Sequence, residues 1–113
     1  MSVTIYHNPR CSKSRTTLAL LQENNAEPVI IDYLDTPPSA AELKNILKLL
    51  GLPPRGLLRA KEAKEAGLDD PALSDEALIA GMIANPIVIE RPIVVAGGKA
   101  KIGRPPEAVL DIL

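Results

Sequence analysis

The feature that most restricts this chain is the change of period across residues 7–15, His-Asn-Pro-Arg-Cys-Ser-Lys-Ser-Arg. Before it, Val3 and Ile5 alternate as in a half-buried strand; after it, from Ser12 to about Asn24, Leu18, Leu20 and Leu21 take helical spacing. Asn8-Pro9 is the break, because proline has no N–H to give a sheet and disfavours helical backbone in the residue before it. Cys11, the only cysteine, and His7, the only histidine, both fall in this joint. A cysteine there stands at a helix N-terminus, where first-turn N–H groups lack intrahelical partners and the partial positive charge favours a thiolate. Cys11 or Ser12 is the expected cap, and Ser14 adds a hydroxyl to the first turn.

The charges in this joint have the wrong sign for an ordinary helix start. Lys13 and Arg15 lie where the macrodipole prefers acids, at a cost of about 0.3 kcal/mol or more each, and Arg10 adds a third cation. An anion among them, the thiolate or a bound oxyanion, makes sense of the arrangement. The competing reading takes the cations as solvated surface charge and Cys11 as a small buried apolar residue. Position at a strand-to-helix turn favours the reactive thiol.

Composition narrows the alternatives. A length of 113 residues fits a single domain over 1–113 with one modest core. With no Phe, no Trp and two Tyr, that core is aliphatic and base-stacking platforms are nearly absent, which together with a net charge of −1 argues against a nucleic-acid partner. A single cysteine excludes an internal disulfide, a Cys-x-x-Cys redox pair and a thiolate metal cluster, so any disulfide must borrow its second sulfur from another molecule. The chain shows neither a basic leader before an apolar run nor about 18 apolar residues in succession, so a cytoplasmic protein with no membrane partner is expected, and nothing calls for more than a monomer.

The rest of the chain completes an α/β plan. Pro28 opens the apolar run of residues 29–33, read as an interior strand buried on both faces and joined to the first by a right-handed parallel crossover. Ser39-Ala-Ala-Glu42 has the capping-box pattern before Leu43, Ile46, Leu47 and Leu50, and Gly51 ends that helix. Pro53-Pro54 reopen a short helical segment with Leu57, Leu58 and then Arg59; residues 61–66 form a charged turn closed by Gly67. Ser74 caps a helix with the stripe Leu78, Ile79, Met82 and Ile83, stopped by Asn85-Pro86. Residues 93–95 and 99–102 flank Gly97-Gly98 as an antiparallel hairpin, and Gly103-Arg104-Pro105-Pro106 leads into a last helix with Val109, Leu110, Ile112 and Leu113 on its apolar face. The plan is β-α-β, an inserted helical region, then β-β-α, with a mixed four-stranded sheet.

Four ordered segments carry a family likeness: residues 8–15, Leu57-Leu58-Arg59, Glu90-Arg91-Pro92-Ile93-Val94 and Gly103-Arg104-Pro105. Together they resemble the glutaredoxin-coupled arsenate reductase (ArsC) family and its ArsC-like branch, over essentially the whole chain. The resemblance implies a thioredoxin-like fold with a cis-proline at Pro92. It also implies that Cys11 is the nucleophile, that His7 lowers the thiol pKa, and that Arg59, Arg91 and Arg104 hold the oxyanion with Ser12, Lys13, Ser14 and Arg15 of the first turn. No bound cofactor or metal is implied; glutathione is the thiol co-substrate and glutaredoxin the protein partner. The chemistry is consistent with this, since an ordinary thiol is only about 3% ionised at neutral pH and guanidinium forks match the oxygens of a tetrahedral dianion. Arg91 and Arg104 each precede a proline, which limits where their side chains can point. The family commonly has Gly after the cysteine where this chain has Ser12, a side chain that could narrow the pocket. Two other functions fit the same fold: a general monothiol disulfide-exchange protein, or a regulatory module that binds RNA polymerase, whose known relatives use the Cys-x-x-Cys switch missing here.

Overall fold

Strand β1 (Val3–His7) is the centre of the sheet, with Val3, Ile5, Tyr6 and His7 all buried. The computed structural model describes residues 2–113. β1 pairs in parallel with β2 (Val29–Asp32), Thr4 opposite Val29 and His7 opposite Asp32, and antiparallel with β3 (Ile93–Ala96), Ile5 opposite Val94. β3 returns through Gly97-Gly98 to β4 (Lys99–Ile102), giving a mixed sheet in the order β2-β1-β3-β4. Gly97 and Gly98 both take positive φ, 55° and 76°, as a two-residue hairpin turn of matching twist requires.

The expectation that β2 is an interior strand is corrected. β2 lies at the sheet edge, and its Val29 and Ile30 are 58% and 49% exposed. An apolar run of strand length signals a strand but not its neighbours; here β1 and β3, which each pair on both sides, take the interior places.

Two compact units are distinguished, one formed by residues up to Thr36 together with Arg91–Leu113, the other by Pro37–Glu90. In the first, helix α1 (Ser12–Glu23) follows β1, and Leu21 is sealed with Ile5, Val94 and Val109, the last supplied by the C-terminal helix. Each such side chain contributes about 1.5–3 kcal/mol on burial, which is how a core without Phe or Trp is assembled. The C-terminal segment Pro106–Ile112 is 3-10 helical rather than α-helical. With three residues per turn, Val109 and Ile112 eclipse on the buried face while Leu110 and Leu113 fall on another, 37% and 38% exposed, so only half of the expected apolar face is core.

In the second unit, α2 (Ala40–Leu50) carries the full capping box, with Ser39 Oγ accepting from the Glu42 N–H and Glu42 Oε1 accepting from the Ser39 N–H, each at 3.1 Å. Gly51 closes it at φ 69°. A 3-10 turn at Pro54–Leu57 leads to α3 (Ala60–Glu65) and then α4 (Asp75–Ala84), where Leu78, Ile79 and Met82 are buried. The short stretch Pro86–Val88 is a 3-10 turn rather than strand, after which Ile89 makes an isolated bridge to Leu58. Hydrogen bonds from Arg59 N–H to Val88 and from Glu90 N–H to Leu57, both 2.8 Å, hold Arg59 and Glu90 side by side. Among the described residues no helix is long and apolar enough to cross a membrane.

Candidate active site

The loop between β1 and α1 is folded by Asn8. Its side-chain oxygen accepts the Arg10 N–H at 3.0 Å, its carbonyl accepts the Cys11 N–H at 3.0 Å, and its own N–H donates to Ser14 Oγ at 3.0 Å. Only 3% of Asn8 is exposed, so these bonds are shielded from water and set the loop tightly. Cys11 then caps α1 with extended backbone, φ −93° and ψ 123°.

The sulfur is half-buried and surrounded by donors. Burial alone pushes the Cys11 thiol up, but the backbone N–H groups of Ser14 and Lys13, the Arg91 side chain and the Arg104 charge outweigh it, and the thiol stands below its ordinary value. Arg104 Nη2 is 3.7 Å from Sγ, while its Nε donates to the Arg91 carbonyl at 2.9 Å, so the two arginines are fixed to one another as well as to the sulfur. Arg91 is 8% exposed, which makes it a pre-placed cation rather than a solvated one. Both arginines precede cis-prolines: the Arg91-Pro92 bond is cis, as the resemblance implied, and so is Arg104-Pro105, which was not anticipated.

His7 is bonded to Ser14. Its Nδ1 lies 2.6 Å from Ser14 Oγ, and in either tautomer this bond anchors the residue whose N–H faces Cys11. Burial holds the imidazole pKa below its ordinary 6.5, with Arg15 reinforcing and Asp32 opposing the shift. The single ring makes this directly measurable: NMR titration of His7 is expected to give a midpoint below 6.5, and a midpoint at or above it refutes the buried neutral ring. By linkage, a histidine held neutral adds stability that is present above the unfolded-state pKa and is lost as pH falls through 6.5 towards the lower folded value, so Tm declines over that window.

The remaining expected residues divide. Ser12 and Lys13 are exposed in the first turn, and Ser12 has no positive φ, so a residue other than glycine sits there without backbone strain. Arg15 donates from Nη1 to the Pro9 carbonyl at 2.9 Å and so braces the loop. Arg59 belongs to the second unit, where Nε is 3.3 Å from Glu62 and Nη1 is 3.3 Å from Glu90, so two carboxylates balance it. Sequence reasoning missed Asn8 as the loop's organiser, though Asn before Pro is a recognised turn-starting pair. It also passed over buried Thr17, whose hydroxyl donates to the Lys13 carbonyl at 2.7 Å.

A mixed four-stranded sheet with a cysteine at the β1–α1 joint and a cis-proline just before β3 defines a thioredoxin-like protein, here with a cysteine whose thiol is drawn down by backbone N–H groups and two arginines. The family model described as "ArsC family" matches residues 6–112. The chain belongs to the ArsC family. Its relatives include an Escherichia coli K12 protein called "Uncharacterized protein YfgD", 60% identical over 98% of this chain and 96% of that one. An arsenate reductase of Haemophilus influenzae is 50% identical over all of both chains. Among solved structures, an arsenate reductase from Vibrio cholerae superposes with a TM-score of 0.96 at 56% identity, over 100% of this chain and 98% of that one.

Proposed function

We propose that this chain reduces arsenate to arsenite, as a cytoplasmic monomer, with Cys11 as nucleophile and with glutathione and glutaredoxin as the reducing partners. The observation that carries the reading is the half-buried Cys11 sulfur, its thiol drawn below its ordinary value beside the Arg91 and Arg104 side chains, which puts a cysteine and two cations in one place. Arsenate oxygens pair with the guanidinium groups, the thiolate attacks arsenic, and a protonated oxygen leaves as water. A glutathione thiolate then attacks the Cys11 sulfur. The electron pair of the sulfur–arsenic bond goes to arsenic, which falls to the trivalent state and leaves as arsenite, while the two sulfurs join. Glutaredoxin reduces that mixed disulfide, a step the chain cannot perform alone because it has no second cysteine.

Arsenate-dependent NADPH oxidation in the presence of glutathione, glutaredoxin and glutathione reductase tests the reading. Turnover is expected. A folded protein that accepts glutathione on Cys11 yet never responds to arsenate supports the monothiol exchange function instead. The same assay tests Arg59 as a third ligand. A dianionic substrate competes with Glu62 and Glu90 for its guanidinium, so Glu62→Gln is expected to lower KM for arsenate several-fold, and an unchanged KM removes Arg59 from the substrate site.

A further inference from the structure

Two loops converge on Cys11 from the β3–β4 side of the first unit: the one that brings Arg91 before β3 and the one that brings Arg104 after β4. They are joined by two hydrogen bonds, from the Gly103 N–H to the Pro92 carbonyl and from Arg104 Nε to the Arg91 carbonyl, both 2.9 Å. Gly103 is also wedged against α1. A Cβ at this position would lie 2.5 Å from Thr17 Oγ1 and 2.7 Å from Pro92 Cγ, closer than real side-chain carbons approach other atoms. Neither neighbour gives way cheaply. Thr17 is fully buried and bonded to the Lys13 carbonyl, and Pro92 is a buried ring.

We propose that Gly103 is a positioning residue: its missing side chain lets the Gly103-Arg104-Pro105 corner close onto Thr17 and Pro92, and that closure sets the Arg104 guanidinium on the Cys11 sulfur. The contact explains a glycine without appeal to backbone freedom, since Gly103 is not among the glycines with positive φ. Through Thr17 it also links the corner to the helix turn whose Lys13 N–H faces the sulfur. The inference rests on Cys11 being the working nucleophile, but its test needs neither arsenate nor glutathione.

The test is alkylation of Cys11 by iodoacetamide at mildly acid and at strongly alkaline pH, with circular dichroism confirming the fold. Gly103→Ala is expected to slow alkylation about tenfold in acid, where the thiolate fraction limits the rate, and to leave the alkaline rate unchanged. In an Arg104→Ala background the same substitution is expected to slow alkylation much less, leaving only what passes through Thr17 to the Lys13 N–H. Thr17→Ala/Gly103→Ala vacates the closest clash but keeps the 2.7 Å approach to Pro92 Cγ, so it is expected to recover only part of the rate, remaining slower in acid than Thr17→Ala alone. The proposal is overturned by a folded Gly103→Ala protein with native acid reactivity, or by equal slowing with and without Arg104. Should Gly103→Ala not fold, the double variant decides. A folded protein alkylated more slowly in acid than Thr17→Ala, with an unchanged alkaline rate, supports the proposal because the Pro92 contact persists. Equal acid rates, or a failure to fold that assigns Gly103 to the fold rather than to positioning, overturn it.

Discussion

Replacing Cys11 with serine is expected to abolish arsenate-dependent turnover while leaving the melting transition in place. The sulfur is half-buried at the start of α1, outside the aliphatic cluster of Ile5, Leu21, Val94 and Val109, so the oxygen creates no cavity in the core. What the substitution removes is the acidified thiol. A serine hydroxyl surrounded by the Ser14 and Lys13 N–H groups, Arg91 and Arg104 remains protonated at neutral pH, and no other residue of this chain can form a disulfide with glutathione. Steady-state rates no higher than the protein-free control, with no glutathione adduct by mass spectrometry, are the expected pair of results. Substantial residual reduction would place the chemistry elsewhere.

The second large effect is expected at Arg91. Its side chain is the strongest side-chain influence holding the thiol down, and at 8% exposure water cannot replace it without loosening the corner. Arg91→Ala should lower kcat/KM for arsenate by about 10²–10³-fold, the range found when one placed donor is removed from a site where charge develops. Part of that loss is lost thiolate, visible as slower alkylation in acid. Arg91→Lys is expected to restore little, because an ammonium is a point charge and cannot meet a sulfur and an oxyanion with one planar fork. Activity of Arg91→Ala within about threefold of the native value would remove Arg91 from the mechanism.

Sequence legibility followed the range of the physics involved. The Ser39 and Ser74 caps, the Gly51 stop and the Gly97-Gly98 turn depend on a few neighbouring residues, and each is found where local chemistry placed it. The edge position of β2 was hidden because pairing partners are chosen across the chain and not by residues 29–33 themselves. The 3-10 register of Pro106–Ile112 was hidden for another reason: Val109, Leu110, Ile112 and Leu113 fit α-helical and 3-10 spacing alike, and only packing decides which pair is buried. At the site, the helix start and its cations could be read directly around Cys11. That Arg91 and Arg104 belong with them could not be read from spacing across some 80 and 93 positions; it came from the likeness to a family. Asn8 and Gly103 stayed out of view because their contributions are a hydrogen-bond pattern and an absence of atoms.

The donors around Cys11 also have a bearing on redox poise. They favour a negatively charged sulfur, and a sulfur in a disulfide carries no charge, so their stabilisation belongs to the reduced protein and is forfeited when Cys11 is joined to another thiol. A mixed disulfide at this position is therefore more oxidising than one at an exposed cysteine, and an outside thiol expels Cys11 readily because a more acidic thiol is the better leaving group. In a chain with a single cysteine, one set of N–H groups and guanidiniums thus prepares the sulfur both to attack and to be released.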